Sequence, residues 1–191
     1  MSSAENIRNA FNVVHKTYEN IKKLMDYCKT VANEKSQYIT AVDKFLRWKS
    51  DIDYSGWYIH DFILLFQKRS DAELENEWRN GPVYAMEIEL RSEDPQKVPS
   101  VYLSKFEYAE IDSWYKGCSP ANHWAFYWPL RNRDIMNIET NEGITMAVPK
   151  TKETGQSYWG LERVTSVSMP LTDITADNAL EKIFGSFDKL G

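Results

Sequence analysis

Apolar residues recur at Ile7, Phe11, Val14, Tyr18, Ile21, Met25, Cys28 and Ala32, with gaps of four and three residues in regular alternation. This a/d spacing predicts a helix with one narrow seam made to press against another helix. Ser2 and Ser3 can both cap it, and it should run at least to Ala32. Continued by heptads, the ladder reaches Ile39, Val42 and Leu46, with Lys35 as its misfit beside Asn33 and Ser36. Asn and Ser are poor helix-interior residues. The stretch is therefore either one helix of about 45 residues or two helices broken at 33–36, and the break is preferred.

After the polar stretch Lys49–Gly56 the period changes from helical to alternating. Trp57–Gln67 is rich in β-branched and aromatic residues and predicts a buried strand. Ser70 and Glu73 form a capping-box pattern, so a short helix is expected from Ser70, with Leu74 and Trp78 on one face and Gly81 ending it. Val83–Arg91 alternates: Tyr84, Met86, Ile88 and Leu90 on one face, Ala85, Glu87, Glu89 and Arg91 on the other. Ser100–Ala109 is expected as its antiparallel neighbour across a proline-containing loop. Residues 112–123 are irregular. The aromatic run 123–129 would place Trp124, Phe126 and Trp128 on one side if extended.

Residues 134–139 and 143–148 flank the turn Thr140-Asn141-Glu142-Gly143 and predict a hairpin. A polar loop over Lys150–Gln156 and a strand over Tyr158–Met169 follow. An amphipathic helix over Ala176–Leu190 closes the chain, with Leu180, Ile183, Phe184 and Phe187 as its stripe. Strands grouped in the middle with helices at the ends predict an α+β fold. Its parts are an N-terminal long helix or helical hairpin, a mostly antiparallel sheet, and a C-terminal helix packed on the sheet. Residues 1–50 form the helical segment and 51–191 the aromatic-rich part, expected as one compact unit.

Composition changes the picture at two points. Seven Trp, 11 Tyr and 8 Phe fall mostly after residue 47, enough to build an aromatic-rich core. The net charge of −5 is uneven. Residues 1–69 hold 11 Lys and Arg against 8 Asp and Glu, whereas residues 70–191 hold 12 against 20. An acidic larger part disfavours a nucleic-acid partner. Residues 1–20 carry no apolar leader, and the longest apolar run, Phe62–Phe66, is too short to span a membrane. Cys28 and Cys118 are too few for a disulfide framework, so a cytoplasmic setting is expected.

The chain has no glycine-rich phosphate loop, nucleophile elbow or HExxH motif. Cys118 and His123 would give zinc only two ligands, so neither metal nor cofactor is expected. Two constellations are left. Glu87 and Glu89 share a strand face with Asp61 on a candidate neighbouring strand; with Lys105 assisting, they are the candidate catalytic set of a metal-dependent hydrolase or nuclease. An acid stands at 89 where the lysine of an acid-x-lysine pair would be, and a solvated charged face explains the alternation more simply. Trp114, Trp124, Tyr127 and Trp128 lie near Arg131 in sequence and are the candidate ligand-binding set, weighed against a buried core corner. The residues Ile7, Phe11, Val14, Tyr18, Ile21, Met25 and Cys28 are a candidate oligomer seam, weighed against packing on the chain's own core. The function expected is that of a non-enzymatic cytoplasmic binding protein, self-associating through its first helix or meeting a protein partner, with the hydrolase as the alternative.

Overall fold

The computed structural model describes residues 2–92, 94 and 96–190. Helix α1 spans Ser3–Lys35. It opens on a capping box: Glu5 N–H donates to Ser2 Oγ at 3.3 Å, and Ser2 N–H donates to the Glu5 carboxylate at 2.7 Å. It ends where expected, but no second helix follows, because side chains around the break hold the chain extended. Asn33 Oδ1 accepts from Thr40 N–H at 3.0 Å, and Ser36 Oγ accepts from Tyr38 N–H at 3.0 Å. Arg69 donates to the helix-end carbonyl of Asn33 at 2.7 Å. The chain continues as strand β1, Tyr38–Thr40.

The remaining strands are β2 (Asp61–Lys68), β3 (Val83–Glu89), β4 (Ser100–Tyr108), β5 (Met136–Asn141), β6 (Ile144–Pro149) and β7 (Leu161–Pro170). They form one seven-stranded sheet in the order β1-β2-β3-β4-β7-β6-β5, with every neighbouring pair antiparallel. The architecture is α+β, with α1 at one end of the chain and a C-terminal helical segment at the other. Among the described residues no helix is long and apolar enough to cross a membrane.

The two sheet faces are covered differently. On one, Phe62, Leu64, Phe66, Tyr84, Met86, Ile88, Val101 and Leu103 meet Ile21, Met25, Cys28, Val31 and Ala32 of α1. The same face takes Ile183, Phe184 and Phe187 from the C-terminal segment. That segment is a wide π turn, Leu180–Phe184, running into a short helix, Gly185–Lys189; Leu180 of the expected stripe is left exposed. On the other face, Ile63, Leu65, Val83, Ala85, Phe106 and Val164 are covered by Leu46, Trp78, Ile111, Ala125, Phe126 and Tyr158, mostly from turns. The central strands are thus buried on both sides, and β2 is apolar from Phe62 to Phe66.

Three local expectations are corrected. Residues 70–81 form no helix. Leu74 N–H donates to Trp78 O at 2.8 Å, Glu77 turns left-handed at φ 66°, and Asn76 donates to the carbonyls of Ile111 and Trp114. This tight turn buries Trp78, which a surface helix would leave half in water. Residues 124–127 are helix α2 rather than extended chain, with further helical turns on both sides at 120–123 and 128–130. Phe126 therefore turns into the core, while Trp124 and Trp128 stand one turn apart and partly exposed. The polar loop at 150 contains a short helix, α3 (Lys152–Ser157), capped by Thr151. The hairpin at Glu142–Gly143 forms as read, with φ of 50° and 81° at its two central residues.

The apolar ladder of α1 is divided. Ile21, Met25 and Cys28 are in the chain's own core and unavailable to an oligomer seam, whereas Ile7 (61% exposed), Phe11 (72%) and Val14 face solvent. Tyr18 marks the change, its hydroxyl donating to Ile59 O at 2.7 Å. Two substitutions on one helix should therefore behave oppositely in urea titrations. Met25→Ala should lower stability by about 2–5 kcal/mol through a lost core side chain, and Phe11→Ala should leave it within about 0.5 kcal/mol. Equal losses would refute this division.

Candidate functional site

The carboxylates that alternate along β3 do not face water. Asp61, Glu87 and Glu89 are 2%, 2% and 4% exposed on the sheet face covered by α2 and its flanking turns. Asp61 and Glu89 are direct cross-strand partners, a juxtaposition of like charges that needs compensation. Arg131, just past the Trp128–Leu130 turn, supplies it. Its guanidinium donates to Glu87 Oε1 at 2.7 Å, to Glu87 Oε2 at 3.2 Å and to Glu89 Oε1 at 3.1 Å. Tyr102 donates to Glu89 Oε2 at 3.1 Å, and Lys97 approaches the same oxygen at 3.8 Å. Arg131 also donates to Tyr127 O at 3.1 Å and lies over the Tyr127 ring, 3.8 Å from its centroid. Planar, bidentate and stacked recognition of this kind suits arginine and not lysine.

Burial pushes Glu87 above the ordinary carboxylate range against the pull of Arg131. Burial alone would lower Arg131, but Glu87 and Glu89 outweigh it and hold the guanidinium charged. Tyr127 is pushed up to about 12, again chiefly by burial.

This arrangement bears directly on the hydrolase set. Both oxygens of Glu87 and both of Glu89 already have partners within the protein. Lys105 stands on the opposite face of the sheet, in line with Leu103, and pairs with Glu107 at 3.5 Å. Sheet alternation puts it out of reach of Glu87, whose side chain points the other way. Among the described residues no three His, Cys, Asp or Glu side chains are arranged to hold a metal ion.

Asp61 leads toward the surface. His60 Nε2 lies 3.2 Å from its Oδ2, and His123 Nε2 lies 2.6 Å from its Oδ1. Asp61 Oδ1 and His123 Nε2 are thus buried against each other at ion-pair distance without an aligned hydrogen bond, and His60 Nδ1 is buried without a hydrogen-bond partner. Buried polar atoms in this state are few in folded proteins and call for a reason.

Above them opens a cleft of about 430 Å³, bounded by Trp48, His60, Asp61, Arg91, His123, Trp124, Tyr127 and Trp128, with Asp53, Ser55 and Ser92 at its edge. Trp124 and Trp128 come from one helical face. Trp48 comes from the loop before β2 and is seated over Gly56, where a Cβ would fall 2.8 Å from the indole and 2.6 Å from Ser50 N. Arg91 donates to Tyr58 Oη at 2.8 Å. A depression beside α1 is larger, at about 570 Å³, but it lacks buried polar atoms without partners.

Of the candidate binding residues, Trp124, Tyr127 and Trp128 thus meet at one cleft, and Arg131 lies beneath Tyr127 as its support. Trp114 does not join them. Its indole donates to Trp159 O at 2.9 Å and packs edge-on against Trp78, Tyr108 and Trp159, beside a separate depression. Cys118 stays clear of His123, its thiol near Asn122 Oδ1 and pushed up to about 12 by burial. Reading by residue missed Trp48, Arg91 and the His60–Asp61–His123 group. Only the adjacency of His60 and Asp61 in the chain hinted at the last.

Removing Arg131 tests the ion cluster. Glu87 is raised above its usual 4.5 in the folded state, so folding favours its protonated form. That contribution is complete below about pH 4.5 and is lost as pH rises through the folded value. Arg131→Met should raise Glu87 further and extend the loss toward neutrality. In urea titrations it should cost about 3–5 kcal/mol at pH 7 and clearly less at pH 5; the same cost at both would refute the account. No known family model matches the chain, and neither the curated proteins nor the solved structures contain a significant match to it.

Proposed function

We propose that this is a cytoplasmic binding protein that holds a small ligand in the Trp48–Trp124–Trp128 cleft and self-associates through the projecting half of α1. The observation that carries the first part is the coincidence of three partly exposed tryptophans with a buried polar floor of His60, Asp61 and His123. Binding sites have this composition: apolar walls that supply contact area, and a few placed polar groups that set orientation. Exposed indoles gathered at one concavity need a reason where a scattered one does not. Glu87 and Glu89, two of the carboxylates that hydrolysis would need, are engaged by Arg131, and Lys105 stands on the opposite face of the sheet, so the binding reading is preferred.

Self-association rests on α1. Ile7, Phe11, Val13 and Val14 are exposed where the helix overhangs the body. The adjoining depression is lined by Leu24 and Tyr27 of the same helix with Leu171, Ile174 and Ala179. A two-fold axis near residue 17 would place each copy's overhang in the other copy's depression, an isologous contact that closes on itself. The two free cysteines fit a reducing compartment.

A thermal-shift screen of a chemically diverse small-molecule library tests the cleft. A ligand at 100 times its Kd adds about 2.7 kcal/mol, or about 5–10 °C in Tm for a chain of this size. The shift should vanish in Trp128→Ala. Hits that stabilise this variant equally would move the site elsewhere. For the helix, light scattering should give twice the 22.3 kDa chain mass, with Phe11→Asp restoring a folded monomer whose Tm no longer depends on concentration. A wild-type monomer at every concentration would end the self-association proposal.

A further inference from the structure

The cleft's chemistry narrows its ligand, and this inference rests on the binding reading above. We infer that the cleft takes a neutral, hydroxyl-rich ring, that is, a sugar unit with one apolar face.

The first argument is charge. The cleft's own charged groups are Asp53, Asp61 and Arg91, with the imidazoles of His60 and His123 beside Asp61. Beneath it, Glu87 and Glu89 are matched by Arg131 and Lys97. The balance is minus one with both imidazoles neutral and zero with one protonated. An anion would meet Asp53 and Asp61. A cation would meet Arg91, with Arg131 already against one face of Tyr127. With both signs lining one cleft, a charged ligand of either kind meets a like charge there, and a neutral ligand meets no such opposition.

The second argument is the mixture of polar groups that line the cleft. Asp53 and Asp61 can only accept when ionised, Arg91 can only donate, and His60 and His123 can each donate or accept according to tautomer. Hydroxyl groups both donate and accept, so adjacent hydroxyls on one ring can answer such a mixed lining. The third argument is the walls. Trp48, Trp124 and Trp128 offer broad, rigid faces that suit the C–H face of a pyranose, whose positive hydrogens complement the negative ring face. The volume of about 430 Å³ admits one or two such rings.

The test is an array of neutral mono- and oligosaccharides probed with the full chain, followed by calorimetric titration of any hit and, in parallel, of adenosine, cytidine and guanosine. The expected result is a sugar hit whose affinity falls at least about tenfold in Trp128→Ala. Asp61→Asn should also weaken it. Trp128 lies at the rim, so its variant keeps the fold even where Asp61→Asn fails to, and the decision then rests on Trp128→Ala alone. Nucleosides binding in a Trp128-dependent way without any sugar hit would overturn the sugar class and leave the cleft as a binding site. Sugar binding indifferent to both Trp128→Ala and Trp124→Ala would overturn the cleft itself. No sugar bound would overturn this inference and leave the cleft to the library screen.

Discussion

The polar half of this protein depends on one guanidinium. Without Arg131, Glu87 and Glu89 would lie under a layer of aromatic turns with only Tyr102 and the outlying Lys97 to answer their charge. An ion pair of this depth gives little net stability over a well-packed apolar substitute, because desolvation offsets most of the attraction. What it does provide is position. Arg131 is bound at once to two carboxylates on β3, to the Tyr127 carbonyl and to the Tyr127 ring, which fixes the 124–131 turns over the sheet in one orientation. Trp124 and Trp128 project from those turns, so the walls of the cleft inherit their placement from the ions beneath.

The two faces of the sheet follow different physics. One is closed by helices mainly through apolar contact, with Tyr38, Tyr84, Phe66, Phe184 and Phe187 meeting ring to ring. Such a surface has nothing to offer a ligand once it is covered. The other is closed by irregular turns whose side chains carry polar ends, and the covering is incomplete where the strands begin at Asp61. Helices cover a sheet in long stripes, whereas turns leave gaps at their junctions. The cleft lies at such a junction, between the 48–58 loop and the start of α2.

Much of the frame was legible because it depends on local pattern. Alternation along 83–91 and 100–109 marked paired strands, and Asn141-Glu142-Gly143 marked a hairpin whose two central residues take positive φ. Two of the misreadings share one cause, a partner far away in the chain. Ser70–Gly81 carries helix signals, but Asn76 and Trp78 bond to carbonyls 35 to 38 residues on, and those contacts outweigh propensity. Glu87 and Glu89 alternate as a solvated face would, and it is Arg131, 44 and 42 residues on, that lets them be buried under the turns it belongs to. The cleft was half visible for the same reason. Trp124, Tyr127 and Trp128 are neighbours in sequence, whereas Trp48, Asp61 and Arg91 reach them only through the fold.

The ladder on α1 shows how one sequence pattern can serve two surfaces. Its spacing is continuous from Ile7 to Ala32, yet the body of the protein ends near Tyr18, so the same residue types meet the core on one side of that point and water on the other. A projecting helix of this length is marginal by propensity alone, although anchorage at its C-terminal half removes the cost of nucleation. Such a helix could stay folded with polar residues throughout. Apolar residues kept in a/d register past the edge of the core add nothing to the monomer's packing and raise its tendency to associate. In the proposed dimer a second copy would remove that liability with no new sequence, because the depression beside Leu24 and Tyr27 lies on the same helix as the overhang that would fill it.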